Sequence, residues 1–243
     1  MSTNYEFCIL QDGSLPLQPS GGIIQRVEHR CTTTLVWPAG TAPQADNSVI
    51  IDPSFTPTGL REAHRRLAGL GGSMQSIRYA HVTHPHLDHE PGWQVDLPAE
   101  LVPFAPGPCT ALREVRLVPL PGHDDELKAL VFPTTTGPVW VVGDAVLDAS
   151  WLQAWGFYWP NGYDEAEVAE TWRSVATIVA RASTIIPGHG APITVNRELV
   201  SLLLQGFPGA PEHEACPEVA TSLKERLGEL QPCRPAQAHA TTP

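Results

Sequence analysis

Long apolar runs, a leader-like first segment and closely spaced cysteine pairs are all missing from this sequence of 243 residues. No apolar run approaches the roughly 20 residues that a transmembrane helix needs, so we expect no membrane segment. The first residues have neither the basic nor the apolar stretch of a secretory signal. The five cysteines are widely spaced and include no Cys-x-x-Cys pair. This pattern is typical of reduced thiols and predicts a cytoplasmic protein.

Basic residues are also few, since 15 Lys and Arg stand against 26 Asp and Glu and give a formal charge of −11. This balance argues against a broad phosphate-binding surface, so we expect no nucleic acid partner. The local basic patch at 61–66 fits a solvated helix face. The length fits one α/β domain. We therefore expect a single domain over 1–230 and a disordered tail over 231–243, where Pro, Ala and Thr dominate.

Short apolar runs separated by Gly and Pro predict strands, and segments with helical periodicity predict helices. The clearest helix is Asp164–Ala182, because Asp164 and Glu167 form a capping-box pair at its start. The predicted strands are 31–37, 48–52, 77–83, 101–104, 115–120, 127–132, 139–142 and 184–186, and the other helices are 58–70, 196–205 and 217–230. This irregular order favours two mostly antiparallel sheets packed together with helices outside.

Histidine is the residue that points to chemistry, with ten copies in the chain. Five of them lie in three compact motifs at the ends of predicted strands, namely HPHLDH at 84–89, PGH at 121–123 and PGHG at 187–190. The strand at 139–142 also ends in a Gly-Asp pair. An isolated histidine in such a turn is more often a surface residue. Five histidines with two aspartates at successive strand ends instead predict a metal site.

The spacing within 84–89 suits two neighbouring ions better than one. Side chains two residues apart in an extended segment point the same way, so His84 and His86 can converge on one ion. Asp88 and His89 follow a turn and can face another. Imidazole and carboxylate ligands without a thiolate suit zinc, with manganese or iron as alternatives. A glycine precedes each later ligand and permits close approach of the backbone.

The ordered set HxHxDH, Gly-His, Gly-Asp and Gly-His-Gly over residues 84–190 resembles the metallo-β-lactamase-fold hydrolase superfamily. This resemblance implies an α/β (α+β) fold, a four-layer αββα sandwich with metals at one edge of two mixed, mostly antiparallel sheets. By position, it implies that His84, His86 and His123 hold a first metal. It implies that Asp88, His89 and His189 hold a second one and that Asp144 bridges the two.

Asp52 matches the aspartate that ends an early strand in this superfamily and supports the site from behind the ligands. Here Pro53 and Ser54 follow it in place of the more usual Thr-Gly.

Differences from several well-known branches of the superfamily reduce the number of branches that this chain resembles. Common β-lactamases have a cysteine where this chain has Asp144, and flavodiiron oxygen reductases have a glutamate where it has His86. No cap-domain insertion fits between Asp144 and His189, as the RNA-processing branch requires. About 53 residues follow Gly190, fewer than in hydroxyacylglutathione hydrolases. The acyl-homoserine-lactonase-like enzymes and other small hydrolases look most similar.

The resemblance implies metal-assisted hydrolysis of a carbonyl ester, lactone, thioester or amide of a small molecule. A hydroxide that bridges two zinc ions would attack the carbonyl carbon, and Asp88 would accept its proton. The aromatic segment 151–159 offers Trp155 and Tyr158 either as an apolar pocket wall or as ordinary packing. Tyr158 or Tyr163 is a candidate donor to an oxyanion or leaving group.

Three other functions stay open at this point. Some members of the superfamily with HxHxDH are sulfur dioxygenases that use one iron, and metal analysis would separate them from a dizinc hydrolase. A metallo-nuclease is disfavoured by the charge and by the missing insertion. A metal-binding interaction protein without catalysis is disfavoured by the intact ligand set. A homodimer is compatible with the sequence, which identifies neither the substrate nor the native metal.

Overall fold

The structure is a computed structural model that describes residues 3–97, 100–107, 109–158 and 162–230. The predicted tail at 231–243 and Trp159 lie outside the described residues. Within them, the strands form two five-stranded sheets. The first sheet has the order β1-β2-β3-β4-β5 and contains β1 (Tyr5–Gln11), β2 (Thr33–Pro38), β3 (Val49–Ile51), β4 (Tyr79–His81) and β5 (Val102–Pro103). The second has the order β10-β9-β8-β7-β6 and contains β6 (Arg116–Pro119), β7 (Lys128–Thr134), β8 (Gly137–Gly143), β9 (Thr184–Pro187) and β10 (Ile193–Thr194).

Five α-helices accompany the sheets in the described part of the chain. They are α1 (Pro57–Gly69), α2 (Ala149–Gln153), α3 (Glu165–Arg181), α4 (Arg197–Gly206) and α5 (Glu218–Glu229). The predicted capping box is present, because Asp164 accepts from the Glu167 N–H and Glu167 accepts from the Asp164 N–H. Thr56 caps α1 by accepting the Gly59 N–H with its side chain, and Pro57 occupies the first turn, where no N–H is needed. These caps explain where the two helices begin.

Alternation along the strands builds the layers. In β8, Val139 and Val141 join the core between the two sheets, whereas Trp140 and Val142 join the core under α3. In β2, Leu35 packs toward α1 on the other side of the first sheet. Successive side chains of a strand point to opposite faces, so each sheet buries both faces. The layers are α1, first sheet, second sheet, and α3 with α4 and α5, which confirms the predicted αββα sandwich.

The strand directions bring several chain segments to one edge of the sandwich. β3 runs parallel to β4, and β8 runs parallel to β9. β6 is two antiparallel steps from β8 and therefore shares its direction. Most of the other pairings are antiparallel, as expected. The carboxyl ends of β3 and β4, and those of β6, β8 and β9, thus each lie together.

Strands β3 and β4 are shorter than their predicted ranges of 48–52 and 77–83. The reason at β3 is Asp52, whose φ of 48° turns the chain out of the sheet. At β4, residues 82–84 leave the sheet and start the histidine loop. Helix α2 and strand β10 were not predicted, because they are only 5 and 2 residues long and too short to show a periodic pattern. None of the described helices has the length and apolar character needed to cross a bilayer. The single-domain assignment over 1–230 stays a prediction.

Candidate metal centre

Loops that follow four strands bring all seven predicted ligands to one edge of the sandwich. His84 to His89 follow β4, and His123 lies in the loop after β6. Asp144 comes directly after β8, and His189 lies two residues after β9. Side chains from both sheets therefore meet in one place, although about a hundred positions separate some of them along the chain. The structure thus brings the seven residues named from the motifs close together.

Four side chains form the first cluster, which consists of His84, His86, His123 and Asp144. His86 Nδ1 lies 2.9 Å from His84 Nε2 and 3.1 Å from His123 Nε2. Asp144 Oδ2 lies 3.6 Å from His123 Nε2 and 3.9 Å from His84 Nε2. Two ligands of one tetrahedral zinc, each about 2.0–2.1 Å from the ion, lie roughly 3.3 Å apart. The spacing of the first cluster is close to that value.

The second cluster surrounds the other oxygen of Asp144. Its Oδ1 lies 3.2 Å from both His89 Nε2 and His189 Nε2. Asp88 Oδ2 lies beside this group, 3.4 Å from His189 Nε2 and 3.8 Å from His89 Nε2. Asp144 therefore places one carboxylate oxygen in each cluster. This is the arrangement that the resemblance implies for a bridging ligand.

Hydrogen bonds on the outer side of the rings fix which nitrogen of each histidine faces the clusters. Thr83 Oγ1 donates to Asp52 Oδ2 (3.0 Å), so the hydroxyl must accept from His84 Nδ1 (3.1 Å). His89 Nδ1 donates to Asp52 Oδ2 at 3.0 Å. His189 Nδ1 donates to the carbonyl oxygen of Arg30 at 3.0 Å. In the neutral form, each of these three rings turns an Nε2 lone pair inward.

Asp52 lies behind the two clusters and accepts three hydrogen bonds. Its Oδ1 accepts the Thr83 N–H at 2.7 Å, while its Oδ2 accepts from Thr83 and His89. The side chain is almost fully buried, with 1% exposed. Asp52 thus orients rings in both clusters, through Thr83 for His84 and directly for His89. Tyr163 supports the third ring, since its hydroxyl lies 2.8 Å from His123 Nδ1.

Unpaired buried atoms show that the site suits a cation. His89 Nε2 and Asp144 Oδ1 are buried and lack an aligned hydrogen-bond partner among the described residues. Leaving such groups unsatisfied is costly, and exceptions in folded proteins require an explanation. A bound cation would explain them, because the imidazole lone pairs face inward, Asp144 is shared between the clusters and the ligand spacing is close to tetrahedral. The residues could therefore hold a metal ion, and their N and O donor set suits zinc, manganese or iron.

Burial and neighbouring charges shift the pKa values in the cluster in opposite directions. Burial lowers the pKa of His84 to about 2 and that of His123 to about 4, so both rings are neutral at pH 7. Burial acts the same way on His89, but the carboxylates of Asp144 and Asp52 outweigh it and raise its pKa well above the ordinary value. The pKa of His189 is also raised, because Asp144 outweighs burial. Burial opposes the charge on Asp144, but His189 and His89 hold its pKa well below 3.8.

We expect zinc binding to release protons near pH 7, mostly from the second cluster. The raised pKa values of His89 and His189 favour their protonated forms in the metal-free protein, whereas ligation requires their lone pairs. The release should amount to about one to two protons per chain and should fall as the pH rises. The measurement is a zinc titration in weak buffer with an indicator dye. Binding without proton release at pH 6.5–7 would contradict the assigned second cluster.

The aromatic segment after Asp144 divides between the core and the site. Trp155 packs against Trp172 and Phe207, at ring centroid distances of 5.3 and 4.9 Å, and donates Nε1–H to the Leu203 carbonyl. Tyr158 instead lines a small cavity of about 20 Å³ that reaches Asp144 and His123. Trp151 lines the same cavity, which Trp155 does not. Tyr158 therefore lies beside the site, while Trp155 lies in the helical core.

Sequence reasoning missed His29, which lies at the edge of the second cluster. Its Nε2 is 3.0 Å from Asp88 Oδ2, and its ring centroid is 5.1 Å from that of His189. His29 stands in no motif and is far from Asp88 in the sequence, so no pattern pointed to it. Thr83 was also missed, although it directly precedes His84 at the end of the predicted strand.

Comparison with solved structures finds the same architecture. A protein from Thermotoga maritima, provisionally assigned as a metallo-β-lactamase, matches with a TM-score of 0.52 and 18% identity over 79% of this chain and 99% of that chain. A metallo-β-lactamase family protein from Thermus thermophilus matches with a TM-score of 0.50 and 16% identity over 94% and 96% of the two chains. The hydrolase AbOPH of the β-lactamase superfamily matches with a TM-score of 0.50 and 12% identity over 78% and 90%.

These matches identify the architecture as the metallo-β-lactamase fold, which confirms the fold that the sequence motifs implied. No protein-family model matches the chain, and no curated protein matches it.

Proposed function

We propose that the protein is a dinuclear metal-dependent hydrolase, with zinc as its metal, that cleaves a carbonyl ester, lactone, thioester or amide of a small molecule. The observation that carries this proposal is the shared position of Asp144, whose two oxygens face two groups of inward-turned imidazoles. Two ions in this arrangement would supply a hydroxide at neutral pH and polarise a carbonyl group. The fold supports the proposal, because AbOPH, a hydrolase of the β-lactamase superfamily, shares it.

The side chains around the two clusters would orient ligands and protons. Thr83 and Asp52 keep the His84 and His89 lone pairs turned inward, and Tyr163 holds His123. Burial raises the pKa of Asp88, but contact with His29 and the charge of His89 outweigh it and lower the pKa to about 2. A carboxylate of such low pKa is a poor general base. We therefore assign Asp88 mainly to holding the second ion, and proton acceptance becomes its lesser function.

The surface beside the first cluster favours a neutral or cationic substrate. A cavity of about 400 Å³ opens next to His86 and His123. Its walls carry four carboxylates, from Asp124, Asp125, Glu126 and Glu167. A mouth lined in this way repels anions, and the net charge of −11 acts in the same direction. This argues against phosphodiesters and against thioesters or persulfides of glutathione, which bear carboxylates.

The test of this function is chelation followed by reconstitution. The purified protein should contain about two zinc ions per chain and hydrolyse at least one member of a panel of neutral lactones, esters, thioesters and a chromogenic cephalosporin. Removing the metal with a chelator should abolish the hydrolysis, since water is then no longer activated. Added zinc should restore it. One iron per chain with oxygen consumption on a persulfide would support the dioxygenase instead, and hydrolysis that survives full chelation would refute the proposal.

A further inference from the structure

His29 comes to the second cluster through a short segment that follows the loop after β1. The segment 29–33 runs along the glycine-flanked turn that carries His189. Thr32 donates its N–H to the Gly188 carbonyl (2.6 Å) and its hydroxyl to the Gly190 carbonyl (3.0 Å). The Arg30 carbonyl accepts from His189 Nδ1. The backbone next to His29 is therefore attached to the segment that positions a predicted ligand.

The ring of His29 is packed in place at this edge. It lies between His189 and Trp93, with centroid distances of 5.1 and 5.9 Å. Although 40% of the side chain is exposed, the Nε2 atom itself is buried and has no aligned hydrogen-bond partner in the described part of the chain. That nitrogen points to Asp88 Oδ2 at 3.0 Å, the same oxygen that faces His89 and His189.

A buried imidazole nitrogen this close to a carboxylate oxygen, without hydrogen-bond alignment, has the spacing of two ligands on one ion. The ligand atoms of His29, Asp88 and His189 all lie within 4.8 Å of one another. His89, Asp144 and His189 form a group of the same kind. The two groups share His189, so the second ion has His29 on its outer side.

We propose that His29 is an additional ligand of the second metal ion, coordinating it through Nε2 beside Asp88 and His189. This inference rests on the proposed dinuclear site. It adds to the ligand set one histidine from the connection between β1 and β2. It makes the second ion depend on a residue that the first ion does not contact. The two binding steps should therefore respond differently to a change at position 29.

The experiment is a titration of the metal-free protein with zinc against a chromogenic chelator, repeated with Co²⁺ to record its visible absorption. His29→Phe should leave the first equivalent unchanged and weaken the second by about 100-fold or more, because lost outer-sphere partners alone cost 10–100-fold. His29→Gln should weaken it similarly, since an amide is a poor ligand for zinc. The Co²⁺ spectrum of the second equivalent should change in both variants. His64→Phe, an exposed histidine on α1, is the matched control and should bind both equivalents like the wild type.

Retention of the first equivalent shows that the variants are folded. If His29→Phe binds the second equivalent as tightly as the wild type, or if both equivalents weaken alike, the assignment is wrong. If His29→Gln restores wild-type affinity and spectrum, His29 acts by hydrogen bonding to Asp88 and the ligand assignment is also overturned. A wild-type protein that takes up no second equivalent would refute the dinuclear function itself, which is a separate outcome.

Discussion

Replacing Asp144 by asparagine should weaken the binding of both metal ions and lower hydrolysis by about 10³-fold. Its two oxygens lie in different clusters, 3.6 Å from His123 Nε2 on one side and 3.2 Å from His89 Nε2 on the other. Asparagine keeps the shape but loses the charge, and its NH₂ group would face nitrogens meant to bind a cation. Loss of the metal's several kcal/mol of charge stabilisation corresponds to a rate loss of this size. The measurements are metal content per chain and kcat/KM on the substrate found by the panel.

The control for this variant is Asp46→Asn, which changes the same chemical group at an exposed position away from the clusters. It should retain two ions and full activity. The Asp144 variant should also stay folded, because Asp144 lies in a loop after β8 and not in a strand. Wild-type metal content in Asp144→Asn would contradict the bridging position.

Replacing Gly188 by alanine should disrupt the centre almost as severely without touching any ligand. A Cβ at this position would lie 1.9 Å from Asp144 Oδ1 and 3.0 Å from the carbonyl carbon of Gly143. The carboxylate would have to leave its place between His89 and His189. We expect loss of the second ion and of most activity, with about 1–3 kcal/mol lower stability of the metal-free protein, as in other overpacked sites.

Gly228→Ala is the matched control, because a Cβ there meets no atom within 4 Å and the residue lies in α5. It should be stabilising by up to about 1 kcal/mol, since alanine favours helix over glycine. Thermal unfolding and zinc content are measured side by side on the two variants. A Gly188→Ala protein with two tightly bound ions would show that the contact with Asp144 is readily relieved.

The seven predicted ligands could be named from the sequence because each of them follows a strand and stands in a short motif. Apolar runs predict the strands, and the residues that follow strands of the same direction, such as β3 and β4 or β8 and β9, fall at the same edge of a sheet. Gly122 illustrates the same logic, since its φ is 121° and a Cβ there would lie 2.3 Å from the Thr171 backbone nitrogen. Only glycine permits α3 to pack so closely to the loop that carries His123. The resemblance to a known superfamily added which ligand belongs to which ion.

The contacts that the sequence did not predict depend on long-range packing. His29 reaches Asp88 because 29–33 pairs with the turn after β9, far along the chain. Trp155 was grouped with its aromatic neighbours by sequence proximity, but its φ of 49° turns it away into the core under α4. Such placements follow from how α2 and the following loop settle on the second sheet. No local pattern of residue types encodes them.

Every predicted ligand lies beyond the carboxyl end of a strand. The position of the metal site and the shape of its surroundings therefore depend on different parts of the chain. The sheets would set where cations bind, whereas the connections at 12–30 and 145–158 shape the surroundings of the site. Replacing those connections would change the substrate specificity and leave the metal ligands unchanged. The ions would also cross-link the two sheets, because their ligands come from loops of both. Removing the metal should therefore weaken the packing between the two sheets at this edge before either sheet unfolds.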